Sequence, residues 1–314
     1  MQLKVFLFHR VSPVPDLLWN PISPELFEQI LAHLTKNYEI VPLEKTLLGE
    51  YKPQTKKELC AITFDDGYKD FIEYSLPLLH KFNAPSSMYI VTNCVDENLP
   101  PWTFILNHLF INTSHLTLDL KSKALPPYLQ KTTWKNKKER IKYASRFSPF
   151  IKNLNNIERK FIYEQIRNDF NDVDLPFGMM MNWNDVRQAH ANGCQIGSHS
   201  LTHPVFNKNL SENELEVELT GSGEKIKKEL GEFPTTISYP FGSYNNTIKK
   251  LAKKSGYKIG LAVNNYIYND QRQSHFEVPR IELYSEPFFK SKLRMSGLIE
   301  KINYALRNKI GPES

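Results

Sequence analysis

The stretch AITFDDGYKD, residues 61–70, decides how the rest of the chain is read. An apolar, strand-like run stops at two adjacent aspartates, Asp65 and Asp66, with Gly67 directly behind them. Like charges side by side repel, and neighbouring side chains on a strand point to opposite faces. Either both carboxylates are solvated turn residues, or each has its own task and something positive holds the pair.

Working outward, short apolar runs alternate with helical patterns. The strand-like runs are LKVFLF (3–8), LCAITF (59–64), SSMYIVTN (86–93), CQIGSHS (194–200), TTISYPFG (235–242) and KIGLAV (258–263). Between them lie helical segments such as SPELFEQILAHLTKNY (23–38), which Ser23 can cap and Pro24 can start. ENELEVELTGSGEKIKKELG (212–231) is a longer one. Strand followed by helix, repeated, predicts an α/β fold of mostly parallel strands, doubly wound or closed into a barrel. The polar and glycine-containing segments fall where strands end, which is where such folds carry their chemistry.

Residues 96–182 break this rhythm. PWTFILNHLFINTS (101–114), a lysine-rich middle and NNIERKFIYEQIRNDF (155–170) predict a mainly helical insertion within a single domain spanning 1–314. Its basic stretch, Lys131 to Arg167, is expected to be a solvated helix face, with contact to an anionic lipid or glycan as the second reading.

The bulk numbers narrow the class. With 314 residues, 40% of them hydrophobic, the chain can bury one large core. A net charge of +6 is too weak to argue for nucleic acid. Cys60, Cys94 and Cys194 are scattered and odd in number, so they are expected as buried thiols rather than a disulfide framework. The opening apolar run is too short for a signal peptide or a membrane span. A cytoplasmic protein is therefore expected, with peripheral membrane contact through the basic insertion as an added expectation.

The second informative stretch is GSHSLTHPVF, residues 197–206. A helical turn there would put His199 and His203 on one side, within reach of one ion. Two histidines and a strand-end aspartate form the minimal three-ligand site of a catalytic zinc enzyme, with a position open for water. A metal would also explain the paired aspartates: one ligates, while the other stays ionised beside the cation and can accept a proton.

TFDDG (63–67), HSLTHP (199–204) and SYPFG (238–242) resemble, in order, the first three motifs of the polysaccharide deacetylases, the NodB-like enzymes of carbohydrate esterase family 4. The resemblance covers roughly residues 55–95 and 180–285. It implies a distorted (β/α) barrel and metal-dependent hydrolysis of an N-acetyl group on a hexosamine, releasing acetate. It further implies Asp65 as general base, Asp66, His199 and His203 as metal ligands, and a backbone N–H at Tyr239 as oxyanion donor. Pro240 and Gly242 would tighten that loop. Zinc suits a His2Asp set best, with cobalt, nickel and manganese as alternatives.

Two family features are displaced. The base-orienting arginine of many members is absent from the third motif, and Arg280 in HFEVPRIEL is the substitute, weighed against a surface or capping arginine. The late histidine that protonates the leaving amine has no obvious counterpart. His9, ending the first strand as in the YHRV-like opening of some members, is preferred to His275. A catalytically impaired glycan-binding protein and an O-acetyl esterase are the competing functions.

Overall fold

The computed structural model describes residues 1–206 and 210–298. The apolar runs become strands β1 (Gln2–Phe8), β2 (Tyr38–Ile40), β3 (Glu58–Asp66) and β4 (Ser86–Ile90). The interrupting segment adds a hairpin, β5 (Thr117–Asp119) with β6 (Lys131–Thr133). Then follow β7 (Gln195–Ser198), β8 (Thr236–Ser238), β9 (Ile259–Leu261), β10 (Tyr268–Asn269) and β11 (Ile281–Glu282).

All but β5 and β6 join one sheet whose main path is β10-β1-β3-β4-β7-β8-β9, with β2 beside β3 and β11 beside β1. Every pairing is parallel except that of β10. A parallel sheet is covered on both faces, which is why β3 is buried from Cys60 onward rather than on alternate residues. Val278 bridges Leu261 while Ile281 pairs with Phe6, so residues 278–282 tie the last long strand back to the first. The sheet thus curls into a half-barrel with helices outside it.

Helix starts follow the sequence. Ser23 caps the helix Pro24–Asn37, accepting from the Leu26 N–H. Ser211 and Glu214 form a capping box at the head of Glu212–Leu230. The three cysteines are buried and unbridged.

Residues between β4 and β7 form helices Trp102–Asn112, Lys137–Lys152 and Asn156–Asp169 around the small hairpin. They share an apolar cluster of their own, with Phe110, Trp134, Phe147 and Phe170 at its centre. Arg140 is buried there, donating to the carbonyls of Phe110 and His115. The basic stretch is therefore only partly a solvated face. Among the described residues, no helix is long and apolar enough to cross a membrane.

Candidate active site

The strand ends converge on a cavity of about 430 Å³ whose lining includes His9, Asp65, Asp66, His199, His203 and Phe241. The paired aspartates reach it because the chain leaves strand geometry between them. Asp66 is in the left-handed region at φ 75°, as is Gly67 at 88°. Asp is one of the few side chains that tolerates this backbone, and Gly67 is needed because a Cβ there would meet Ile90 Cγ2 at 3.1 Å.

Asp65 is 1% exposed and Arg280 0%. The guanidinium grips the carboxylate at both oxygens, Nη1 to Oδ1 at 2.7 Å and Nη2 to Oδ2 at 2.7 Å. Ser238 donates its hydroxyl to Asp65 Oδ2 at 3.0 Å and accepts from Arg280 Nη2 at 2.8 Å. Burial alone would push the Asp65 carboxyl up, but the Arg280 cation, followed by His199, holds it well below the usual carboxylate range. Each carboxylate oxygen offers about two acceptor sites, so Oδ1 keeps one free.

Asp66 is built differently. Its Oδ1 accepts no hydrogen bond among the described residues although it is buried. It lies 3.5 Å from His199 Nε2 and 3.4 Å from His203 Nε2, and the two nitrogens are 3.2 Å apart. Ligands at about 2.0–2.2 Å from a tetrahedral ion are themselves roughly 3.3–3.5 Å apart, so this donor triangle has the size a zinc-like ion requires. Burial and the neighbouring Asp65 push the Asp66 carboxyl up, against the pull of His9 and His199. Burial, then His199, keeps the His203 imidazole neutral to well below its ordinary range. Three buried donors, one orphaned and one held neutral, make a set that a cation would satisfy. His199 donates from Nδ1–H to the Ser238 carbonyl at 2.8 Å, the outer contact that orients a ligating imidazole.

The histidines do not meet through a helical turn. Ser200 and His203 both take left-handed backbone, φ 72° and 58°, and the chain bends between them. Glu218 holds that bend, accepting from the N–H groups of Leu201 and Thr202 at 2.9 Å each. Trp102, at the head of the first inserted helix, donates from Nε1 to the His203 carbonyl at 3.0 Å. The His203 ring packs on Phe241, centroids 4.6 Å apart.

The Tyr239 expectation needs correction. Its N–H donates to the Leu261 carbonyl at 3.0 Å, its hydroxyl to Phe276, and its ring is fully buried away from the cavity. The loop residue that faces the cavity is Phe241, at φ 57°. Gly242 closes this turn at φ 66°, where a Cβ would strike the Val263 nitrogen at 2.6 Å.

His9 lines the cavity, edge-on to Trp19, with Nδ1 3.6 Å from Glu282 Oε1. His275 sits in a short helical turn beside Tyr268, outside the lining. Glu282 and Glu218 carry no motif and were missed from sequence; only their positions, after a strand's first residue and within a long helix, place them. The inserted helices form the facing wall, contributing Phe104, Asn107, Ser145, Ser148 and Lys152.

The sequence profile of the polysaccharide deacetylases matches residues 52–260. Among solved structures, the fold is similar to a Streptococcus pyogenes deacetylase, PplD, at 16% identity and TM-score 0.60, covering 96% of this chain and 97% of that one. It is similar to a de-N-acetylase from Aggregatibacter actinomycetemcomitans at 16% identity and TM-score 0.58, covering 94% and 100%. IcaB from Ammonifex degensii matches at 15% identity and TM-score 0.57, covering 94% and 97%. With two thirds of its length matched and the half-barrel in place, the chain belongs to the polysaccharide deacetylase family.

Proposed function

We propose that this protein is a metal-dependent N-deacetylase. It removes acetyl groups from an N-acetylhexosamine in a polysaccharide, oligosaccharide or glycolipid intermediate and releases acetate. One observation carries the reading: the Asp66–His199–His203 triangle and the Arg280-clamped Asp65 face the same cavity. The reading also takes 1–314 as one domain with 96–182 inserted. Residues 299–314 lie outside the described residues. The cytoplasmic location and peripheral membrane contact belong to this proposal and rest on sequence alone.

Asp66, His199 Nε2 and His203 Nε2 would hold the ion, with zinc the best match to that donor set and cobalt, nickel or manganese as alternatives. Bound there, a divalent ion supplies Lewis acidity, polarising the acetyl carbonyl and lowering the pKa of water towards about 7. Asp65 accepts the proton of the attacking water at its free Oδ1 site, while Arg280 and Ser238 keep it ionised and aimed.

Attack gives a tetrahedral oxyanion, and the Phe241 N–H, in the loop that faces the cavity, is the donor assigned to it. The C–N bond breaks as His9 gives a proton to the departing nitrogen. Glu282 Oε1 lies 3.6 Å from Nδ1 of the same ring. An amine leaves poorly without that proton, so a His9–Glu282 pair in the cavity favours the amide over an O-acetyl ester.

The test is acetate release from matched N-acetylated and O-acetylated saccharides by metal-stripped protein, with and without added zinc. Metal-dependent release from the N-acetyl sugar supports the reading. Release only from esters makes the protein an O-acetyl esterase. Glycan binding without any release makes it a binding protein on this scaffold.

A further inference from the structure

The inserted helix Lys137–Lys152 ends at the cavity, and its last residue puts an ammonium into the lining. Lys152 Nζ lies 4.6 Å from the centroid of the Phe241 ring. Among the described residues, no carboxylate pairs with it and no hydrogen bond takes its protons, unlike Lys4, Lys225 and Lys249, which each meet one. Four turns of helix therefore deliver to the cavity a cation that feels Asp66 and Glu282 through space but, among the described residues, touches no carboxylate.

The carboxylates around it each have a nearer neighbour. Asp65 is neutralised by Arg280 at two points. Asp66 lies beside the two imidazoles, at 3.5 and 3.4 Å. Glu282 faces His9. Lys152 is then a cation without a carboxylate in contact among the described residues, in a partly desolvated wall where a charge-assisted hydrogen bond is strong. The neighbouring lining is polar: Ser148 donates to Asn107 Oδ1 at 2.9 Å, and Pro149 has no N–H to give the Ser145 carbonyl one turn back. That leaves hydroxyl, amide and carbonyl groups for sugar hydroxyls and one cation for something negative.

We infer that Lys152 selects an acetylated saccharide bearing an anionic group, a carboxylate or a phosphate, on or next to the unit whose acetyl group is removed. This rests on the deacetylase reading for the substrate class but not for the charge preference. Lys152 is a specificity residue supplied by the insertion.

The experiment measures binding by calorimetry to metal-free full-length protein, so that no bound ion can attract the anion. Three ligands are compared: an uncharged N-acetylglucosamine disaccharide, the same disaccharide with a uronic carboxylate, and the same with a 1-phosphate. One charge-assisted hydrogen bond predicts about tenfold tighter binding of at least one anionic ligand, and which one identifies the group. Lys152→Gln should erase that margin while changing neutral-ligand affinity by no more than about threefold; Lys152→Arg should keep it. In zinc-loaded protein the same preference should appear in KM rather than kcat.

The inference is overturned if wild type shows no charge preference or binds none of the three. It is also overturned if the preference survives Lys152→Gln, or if that change weakens neutral and anionic ligands alike. Charge-selective binding without acetate release from any saccharide would sink the deacetylase reading and leave this one standing.

Discussion

The two ends of β3 handle buried charge in opposite ways. At its start, where β2 runs beside Glu58 to Cys60, the buried charges of Lys4 and Glu39 have protein partners. Glu39 accepts from the N–H groups of Gln54 and Thr55, both at 2.7 Å, and from the hydroxyls of Tyr51 and Thr55. Lys4 bridges to Glu58 at 2.8 Å, and nearby Glu44 takes the hydroxyls of Ser87 and Tyr89. At the other end, Asp66 Oδ1 is buried with no donor, and two imidazoles crowd it. A fold can leave a polar group unsatisfied only at a cost, so the orphan marks the working end and the satisfied cluster the supporting end.

The sharpest way to break this contrast is to change chemistry without changing the scaffold. Asp65→Asn removes the proton acceptor. Acetate release should fall by roughly 10²–10⁴-fold, with about one ion per chain still bound by metal analysis. Loss of the ion as well would mean that Asp65, not only Asp66, holds it.

Arg280→Met attacks the same end through stability. It strands a buried carboxylate, and breaking such a pair costs about 3–5 kcal/mol. Denaturant unfolding should show that loss. A near-neutral result would mean that water or movement of Ser238 can replace the guanidinium.

Trp102→Phe is gentler and asks whether the insertion supports the metal loop. The ring can stay while its hydrogen bond to the His203 carbonyl goes. Metal affinity should drop by roughly 10-fold, the lower range for outer contacts of a metal site, with little change in unfolding. An unchanged affinity would confine the insertion to forming the cavity wall.

The supporting end gives the smallest effect. Hydrogen bonds, Thr55 first, bring the Glu39 carboxyl down to about 2. Its stabilisation is therefore complete above the unfolded value near 4.5 and lost as pH falls towards 2. Glu39→Gln should melt below wild type at pH 6 to 8, the gap should close on acidification, and activity per folded molecule at pH 7 should not change. A gap undiminished at pH 2.5 would mean the carboxylate's charge is irrelevant there.

The convergence of Asp66, His199 and His203 was legible because they sit in short, ordered segments: Asp66 at a strand end, and His199 and His203 within one bend. Arg280 was only a candidate, since its contact with Asp65 spans most of the chain and depends on residues 278–282 returning to β1. The profile match ends at 260, so neither Arg280 nor His9 falls inside it. Tyr239 misled because spacing within SYPFG does not show which residue turns outward. The left-handed backbone at Phe241, which aims that residue at the cavity, is a property of the closed turn against Val263.

By itself, then, the order of apolar runs and helices determined an α/β fold of mostly parallel strands, because periodicity and capping are local physics; the curl into a half-barrel came from residues 278–282 returning to β1. For the same local reason, the residue types at two strand ends pointed to a three-donor site that could hold a metal. What only the tertiary structure decided is which distant groups complete it: Arg280 on Asp65, Glu282 on His9, Trp102 on the His203 loop and Lys152 in the facing wall. Those partnerships depend on how the sheet curls and where the insertion docks, and these are set by packing across the whole molecule rather than by neighbours in the chain.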